Sequence, residues 1–221
     1  MITIGLTGGS GAGKGAVGKV LEEFKIPCID TDAVYRDVIS PGSPCILELK
    51  EYFGGSIITE SGELDRAALS DIVFKPGAGD KLAALNRITH KYILRECGKM
   101  LAMYSESGYD MAVIDAPQLY ESGFDAQCAY VIAVIADKEI RIKRIMERDG
   151  ISREQAERRI DAQRNDEFFE SRADFVIYNN GSVNMLREQV AETLSAIVDP
   201  DGNDREAYGT SSYTGFNPYF M

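Results

Sequence analysis

The run Gly8-Gly9-Ser10-Gly11-Ala12-Gly13-Lys14-Gly15 carries the residue types and spacing that bear most directly on chemistry. Its skeleton is G-x-x-x-x-G-K. Glycines let a main chain turn tightly, so that several N–H groups aim at one anion. A helix start adds the positive end of its dipole, and Lys14 adds a full charge beside the outer phosphates of a nucleotide-like ligand. The setting gives the motif its weight. The apolar run Ile2–Thr7 precedes it and Ala16–Phe24 follows with a helix-like pattern, so the order is strand, glycine-rich turn, helix. The alternative is a glycine-rich connector that binds nothing. The Ser or Thr that usually follows the lysine, and gives its hydroxyl to magnesium, is Gly15 here.

A phosphate cradle does no transfer chemistry without a carboxylate to orient an acceptor hydroxyl and take its proton, and a metal to bridge phosphates. Asp30 and Asp32 stand at the end of the second apolar run, where the carboxyl ends of parallel strands line a ligand crevice. Either fits the acceptor role; either also fits a turn, capping the helix that follows. Asp115 closes Met111-Ala112-Val113-Ile114, a strand end of the kind that holds magnesium directly or through water, or a turn carboxylate. Arg141, Arg144 and Arg148 fall at i, i+3 and i+7, on one helix face. Three guanidinium groups on one side call for anions opposite, and triphosphate oxygens suit them. The alternative is a solvated face paired with Glu139, Glu147 and Asp149. His90 is the sole histidine, and its spacing favours a structural hydrogen-bonding role.

The elements that must position these groups are legible as apolar runs. Ile2–Thr7, Ile26–Asp30, Met111–Ala116, Tyr130–Ala136 and Phe175–Tyr178 are rich in Ile and Val and do not strictly alternate, as strands of a parallel sheet covered on both faces do. Helical patterns separate them, giving an α/β, doubly wound class. The long gap between the second and third runs holds helix-like pieces at Cys45–Phe53, Arg66–Phe74 and Lys81–Tyr104, which predict a small helical subdomain. Lys138–Arg148 and Arg153–Gln163 predict two more helices, with Asp137 or Ser152 as N-caps.

Composition narrows the classes. The hydrophobic share of 44% suffices for a core, and no apolar run approaches a membrane span. With no signal-peptide pattern ahead of the first strand, a soluble, cytoplasmic protein is expected. The net charge of −11 argues against nucleic acid and anionic membranes as partners. Cys28, Cys45, Cys97 and Cys128 are widely spaced, which favours buried or spare thiols over a disulfide framework or a zinc site. After Pro200 the chain turns to Gly, Ser, Asn and scattered aromatics, so residues 200–221 read as a disordered tail or a segment that docks on a partner.

Taken together, these pieces resemble the dephospho-coenzyme A kinases. The resemblance is carried by Leu6-Thr7-Gly8-Gly9 with Gly11-x-Gly13-Lys14, by Ile29-Asp30-Thr31-Asp32, by Phe53-Gly54 and Gly62-Glu63-Leu64-Asp65-Arg66, and by Leu85-Asn86-x-Ile88-x-His90. It continues through Asp115-Ala116-Pro117-Gln118-Leu119-Tyr120-Glu121, Arg144-x-x-x-Arg148-Asp149, Gln163 and Ala173-Asp174-Phe175-Val176-Ile177-x-Asn179. It spans the chain to about residue 198. It implies a P-loop NTPase fold of the nucleoside monophosphate kinase type, with a five-stranded parallel sheet in the order 2-3-1-4-5. One domain over residues 1–199 would carry a helical acceptor subdomain (about 33–108) and a small lid (about 138–165). It implies ATP as donor, Mg²⁺ as its metal, and the ribose 3′-hydroxyl of dephospho-coenzyme A as acceptor, with no nucleic acid or membrane partner. Asp32 would orient and deprotonate that hydroxyl. Lys14 and the amides of Gly11, Ala12, Gly13, Gly15 and Ala16 would cradle the phosphates. Arg144 and Arg148 would close on the triphosphate, and Thr7, Arg66 and His90 would face the acceptor. Asp115 would be the metal's carboxylate. Gly15 in place of Ser/Thr, Gln118 in place of a leucine and Lys91 in place of a proline depart from the family pattern; only the first touches chemistry. A kinase-derived protein that holds nucleotide or coenzyme A without transfer, and a kinase for a nucleoside monophosphate or another small alcohol, are the competing readings.

Overall fold

A computed structural model describes residues 1–199, and the tail from Pro200 onward lies outside the described residues. The chain runs β1 (Ile2–Thr7), α1 (Lys14–Glu23), β2 (Cys28–Asp30), α2 (Thr31–Val38), α3 (Pro44–Phe53), α4 (Arg66–Val73), α5 (Gly79–Glu106), β3 (Met111–Asp115), α6 (Leu119–Ser122), β4 (Tyr130–Ile135), α7 (Lys138–Asp149), α8 (Arg153–Asp161), α9 (Asp166–Glu170), β5 (Phe175–Tyr178) and α10 (Val183–Val198). The strands form one parallel five-stranded sheet in the order β2-β3-β1-β4-β5. All five apolar runs of the sequence are strands; Ile2–Thr7 and Phe175–Tyr178 keep their expected bounds, and the other three are trimmed at one end. Ile26 and Pro27 lead into β2 without joining it.

The strands are nearly continuous in apolar residues because both faces are covered. Ile4, Leu6, Ala112, Val113, Ile114, Ala133 and Val134 are all buried. The registers Leu6↔Asp115 and Asp30↔Asp115 bring the carboxyl ends of β1, β2 and β3 to one level. At the other end of the sheet order, Ile132–Ile135 pairs in register with Phe175–Tyr178.

The chain divides into two compact units. One comprises Met1–Thr7 and Lys25–Val131. Within it, α3 begins at a Ser43 cap followed by Pro44, and α4 at an Asp65 cap. The long α5 buries Ala84, Ile88, Tyr92, Ile93 and Cys97 along one stripe. Helix α5 starts two residues before the expected Lys81, at Gly79-Asp80, where Asp80 adds a favourable negative charge to the first turn.

The other unit comprises Gly8–Phe24 and the described residues from Ile132 on. Here α1 buries Val17, Val20 and Leu21 at i, i+3 and i+4. Helices α7 and α8 form a hairpin around Ile142, Ile145, Ala156 and Ile160. Ser152 starts α8 with a full capping box through Gln155. Asp137 occupies the N-cap position of α7, but its side chain does not cap that helix's amides. Its carboxylate accepts from Asn180 Nδ2 at 2.8 Å, while Asp137 N–H donates to Asn180 Oδ1 at 2.9 Å.

None of the four cysteines forms a disulfide. Burial pushes the thiols of Cys45 and Cys97 up to about 11 and that of Cys128 up to about 12, so they sit as protonated apolar groups. Among the described residues, no helix is long and apolar enough to cross a membrane.

Candidate functional site: a glycine-rich loop and a cavity

In the unit that carries it, the glycine-rich loop is packed against its surroundings at almost every residue. A Cβ on Gly8, which has φ +141°, would lie 2.2 Å from the carbonyl oxygen of Val134 in β4. Gly13 is the left-handed N-cap of α1, with φ 99°, and a Cβ there would lie 2.1 Å from Asn179 Nδ2. Both positions therefore exclude any side chain, by conformation and by space. Gly15, in contrast, faces open space on an ordinary helical backbone. Nothing steric forbids a serine or threonine there.

The main-chain polar groups of the loop are partitioned. Ala12 N–H donates to Gly9 O at 3.1 Å, and Ala16 N–H to Gly13 O at 2.9 Å. These two amides, expected at the phosphates, thus close internal turns in this conformation. Lys14 begins α1, and its Nζ donates to Gly8 O at 3.3 Å across the loop.

The arginine face on α7 divides by role. Arg144 Nη1 donates to Gly11 O (3.3 Å) and Ala12 O (3.1 Å), and its Nη2 to Asn179 O (3.0 Å). Expected at the triphosphate, it here braces the carbonyl side of the loop, because three backbone acceptors lie within its reach. Arg141 is 4% exposed and is likewise turned to the loop. Arg148 is 59% exposed and forms a fork with its neighbour Asp149, at 2.7 and 2.9 Å. Arg159 also reaches Asp149, and the two guanidinium groups hold that carboxyl down to about 2. The solvated-face alternative thus describes Arg148 and neither of the other two.

The other unit contains a cavity of about 380 Å³ lined by Asp32, Tyr35, Asn86, His90 and Gln118 among others. The carboxylate pair proposed from sequence resolves here. Asp30 is the N-cap of α2, its Oδ1 accepting from Asp32 N–H at 2.8 Å and Ala33 N–H at 3.2 Å. That leaves Asp32, in the first turn of α2, on the cavity wall. His90 projects into the same cavity from α5, and partial burial pushes its pKa below the usual histidine value, favouring the neutral imidazole at pH 7. Arg66 stacks over the ring of Tyr35, 5.7 Å from its centroid. Asp115 ends β3 one residue before the cavity-lining Ala116, and its carbonyl accepts from Thr31 Oγ1 at 2.9 Å. Thr7, at the end of β1, is fully buried, and its Oγ1 has no hydrogen-bond partner among the described residues. It does not line the cavity. The described residues hold no cluster of three or more His, Cys, Asp or Glu side chains able to bind a metal by themselves.

The family model of dephospho-CoA kinase (CoaE) matches residues 2–185. The chain belongs to the dephospho-CoA kinase family. Among similar relatives, a dephospho-CoA kinase of Carboxydothermus hydrogenoformans is 40% identical over 191 residues, covering 86% of this chain and 92% of that protein. One from Corynebacterium glutamicum is 36% identical, covering 90% and 98%. Among solved structures, TT1252 from Thermus thermophilus superposes with a TM-score of 0.75 at 31% identity, covering 89% of this chain and 97% of its own. For a dephospho-CoA kinase, the sheet order and helical insertion are those the resemblance implied.

Three residues at the loop and the cavity escape a reading by residue type. Asn179 is 5% exposed and donates from Nδ2 to Ala12 O at 2.9 Å. Its sequence signals are its place just past the carboxyl end of β5 and its membership in the motif Ala173-Asp174-Phe175-Val176-Ile177-x-Asn179, and neither gives its role. Tyr35 and Asn86 lie on helices and face the cavity, which an isolated Tyr or Asn in a helical stretch does not announce.

Proposed function

We propose that this chain transfers the γ-phosphoryl group of ATP to the 3′-hydroxyl of the ribose of dephospho-coenzyme A, giving coenzyme A and ADP, the last step of coenzyme A synthesis. The observation that carries this reading is Asp32 on the wall of a cavity large enough for part of a nucleotide-like acceptor, in a chain that also keeps an intact phosphate loop. The loop amides, Lys14 and the start of α1 hold the β- and γ-phosphates. Asp32 orients the acceptor hydroxyl and takes its proton as the oxygen attacks phosphorus. The new O–P bond forms as the bond to the bridging oxygen breaks, and that electron pair leaves with ADP. Arg66 and His90 belong to the acceptor side, with neutral His90 as a hydrogen-bonding group, whereas the fully buried Thr7 does not line the cavity.

Arg148 is the lid arginine of this reading. Its fork with Asp149 is exposed and exchangeable, so an incoming phosphate can replace it. Arg144 stays on the loop and contributes its charge from behind. Closure of the α7–α8 hairpin excludes water, which otherwise competes with the acceptor.

Magnesium fits the donor set in a particular way. Gly15 offers no hydroxyl, so Asp115, with Asp32 as the alternative, is the protein oxygen suited to it, the rest coming from phosphates and water as Mg²⁺ prefers. When bound, it neutralises charge developing between the β- and γ-phosphates. A cytoplasmic location, where both substrates are found, accords with this chemistry. The test is ADP release with ATP in the presence and absence of dephospho-coenzyme A. Release that depends on this acceptor and exceeds that with adenosine or nucleoside monophosphates supports the reading. A rate indifferent to dephospho-coenzyme A refutes it.

A further inference from the structure

The carbonyls of Ser10, Gly11 and Ala12 all meet side-chain donors on one side of the phosphate loop. Ser10 O accepts from Arg141 Nε at 3.0 Å, Gly11 O and Ala12 O from Arg144, and Ala12 O also from Asn179. No peptide bond here is cis. In a trans peptide the carbonyl of one residue is antiparallel to the N–H of the next. Anchoring these three carbonyls therefore turns the N–H groups of Gly11, Ala12 and Gly13 to the opposite side. Ala12 N–H closes the turn on Gly9. The direction of the Gly11 and Gly13 amides is thus fixed from behind.

Arg141 is the centre of this anchoring, and it does more than hold one carbonyl. Its Nη1 donates to Asp166 Oδ1 at 3.1 Å and its Nη2 to Gln163 Oε1 at 3.4 Å. Gln163 Oε1 in turn accepts from Ser10 N–H at 2.8 Å. Both main-chain polar groups of Ser10 are therefore tied to one side-chain assembly rooted on α7 and just beyond α8. The fit is close: a Cβ on Gly9 would lie 2.3 Å from Arg141 Nη2, and one on Gly11 2.7 Å from the Arg141 carbonyl oxygen. Burial pushes the Arg141 pKa down and the Asp166 carboxylate opposes that.

We infer that Arg141, with Gln163 and Asp166, is a positioning residue that presets the phosphate loop for its anion by gripping Ser10 from outside. The three acceptors around Arg141 need a planar fork with separate donors, which a lysine ammonium does not supply. The inference rests on the loop holding the β-phosphate of a nucleotide, and it deepens that reading. Arg141 itself does not touch the phosphate.

Calorimetric titration of the full chain with ADP and with AMP separates the possibilities, because only ADP carries the phosphate that the loop holds. The unaltered protein is expected to favour ADP strongly. Arg141→Gln and Arg141→Lys should each weaken ADP at least tenfold and leave AMP within twofold. A purely structural role would lower both nucleotides together. Should Arg141→Gln not fold, Gln163→Leu at an exposed position loosens the same grip on Ser10 and should weaken ADP about threefold, again sparing AMP. Full ADP affinity in Arg141→Lys, unchanged ADP affinity in Arg141→Gln and Gln163→Leu, or parallel loss of ADP and AMP would overturn the inference alone. Failure of the unaltered protein to prefer ADP would instead overturn the phosphate-loop reading beneath it.

Discussion

The glycine-rich loop and the cavity that Asp32 lines are built in opposite ways. In the loop the chain is confined residue by residue: carbonyls are tied to Arg141, Arg144 and Asn179, and glycines fill places where any Cβ would collide. The cavity draws its polar groups from α2, α5 and the segment after β3, and it is open enough to leave Asp32 and His90 on its wall. In the proposed function, a rigid cradle would suit an anion common to every nucleotide, and an open pocket of side chains would suit the acceptor.

That contrast makes the two halves separable by mutation, with the largest effects at the reacting groups. Lys14→Met should lower kcat/KM by about a thousandfold and weaken ATP as well, since it removes a fixed charge from the cradle. Asp32→Asn should cut kcat by about a hundredfold while ATP affinity survives, because only the proton acceptor is lost. Steady-state kinetics with a parallel ATP-analogue titration checks both, and near-normal turnover in Asp32→Asn would remove it from the acceptor role.

Next come the glycines, which share a residue type and not a function. Gly13→Ala should destabilise by about 2–3 kcal/mol, from its left-handed backbone and from displacing Asn179. Gly15→Ala should instead stabilise by up to about 1 kcal/mol, as a helical glycine with open space around it. Thermal melts of the pair read this difference directly; equal losses would mean that the loop is not confined as described. Gly15→Ser should then raise magnesium affinity several-fold by restoring a hydroxyl ligand, roughly the scale of one charge-assisted hydrogen bond. Magnesium titration of nucleotide binding measures it, and an unchanged dependence would show that this position lies outside the metal's reach.

The smallest effect is on pH. Burial lowers the His90 pKa in the folded chain, so the unfolded chain takes up a proton first on acidification. The stability that neutral His90 contributes is complete above the ordinary histidine value near 6.5 and is lost as pH falls through it toward the folded value. Melting temperatures at pH 7.5 and 5.5 should therefore fall more for the unaltered protein than for His90→Gln. An equal fall would mean that the imidazole is not held neutral by the cavity.

Much of this was legible from short-range pattern. The five strands, the loop and the α5 insertion follow from apolar runs and glycine spacing, because burial on both faces of a parallel sheet leaves a continuous apolar signature. Asp30 and Asp32 were not separable that way. Both are aspartates at a strand end, and which one caps α2 depends on which carboxylate meets the helix amides. The Arg141–Arg144–Arg148 face was also read as one surface. Its spacing is right, yet its chemistry is divided by what each guanidinium meets in three dimensions.

Residue order alone determined that this chain makes a parallel sheet with a glycine-rich turn at its first strand, since backbone freedom and apolar periodicity are local properties. Tertiary structure decided which glycines are indispensable, which aspartate reaches the cavity, and that two arginines aim at the loop's own carbonyls. The glycine and arginine outcomes depend on close approaches between segments more than a hundred residues apart, such as Ser10 with Arg141, which no local pattern encodes.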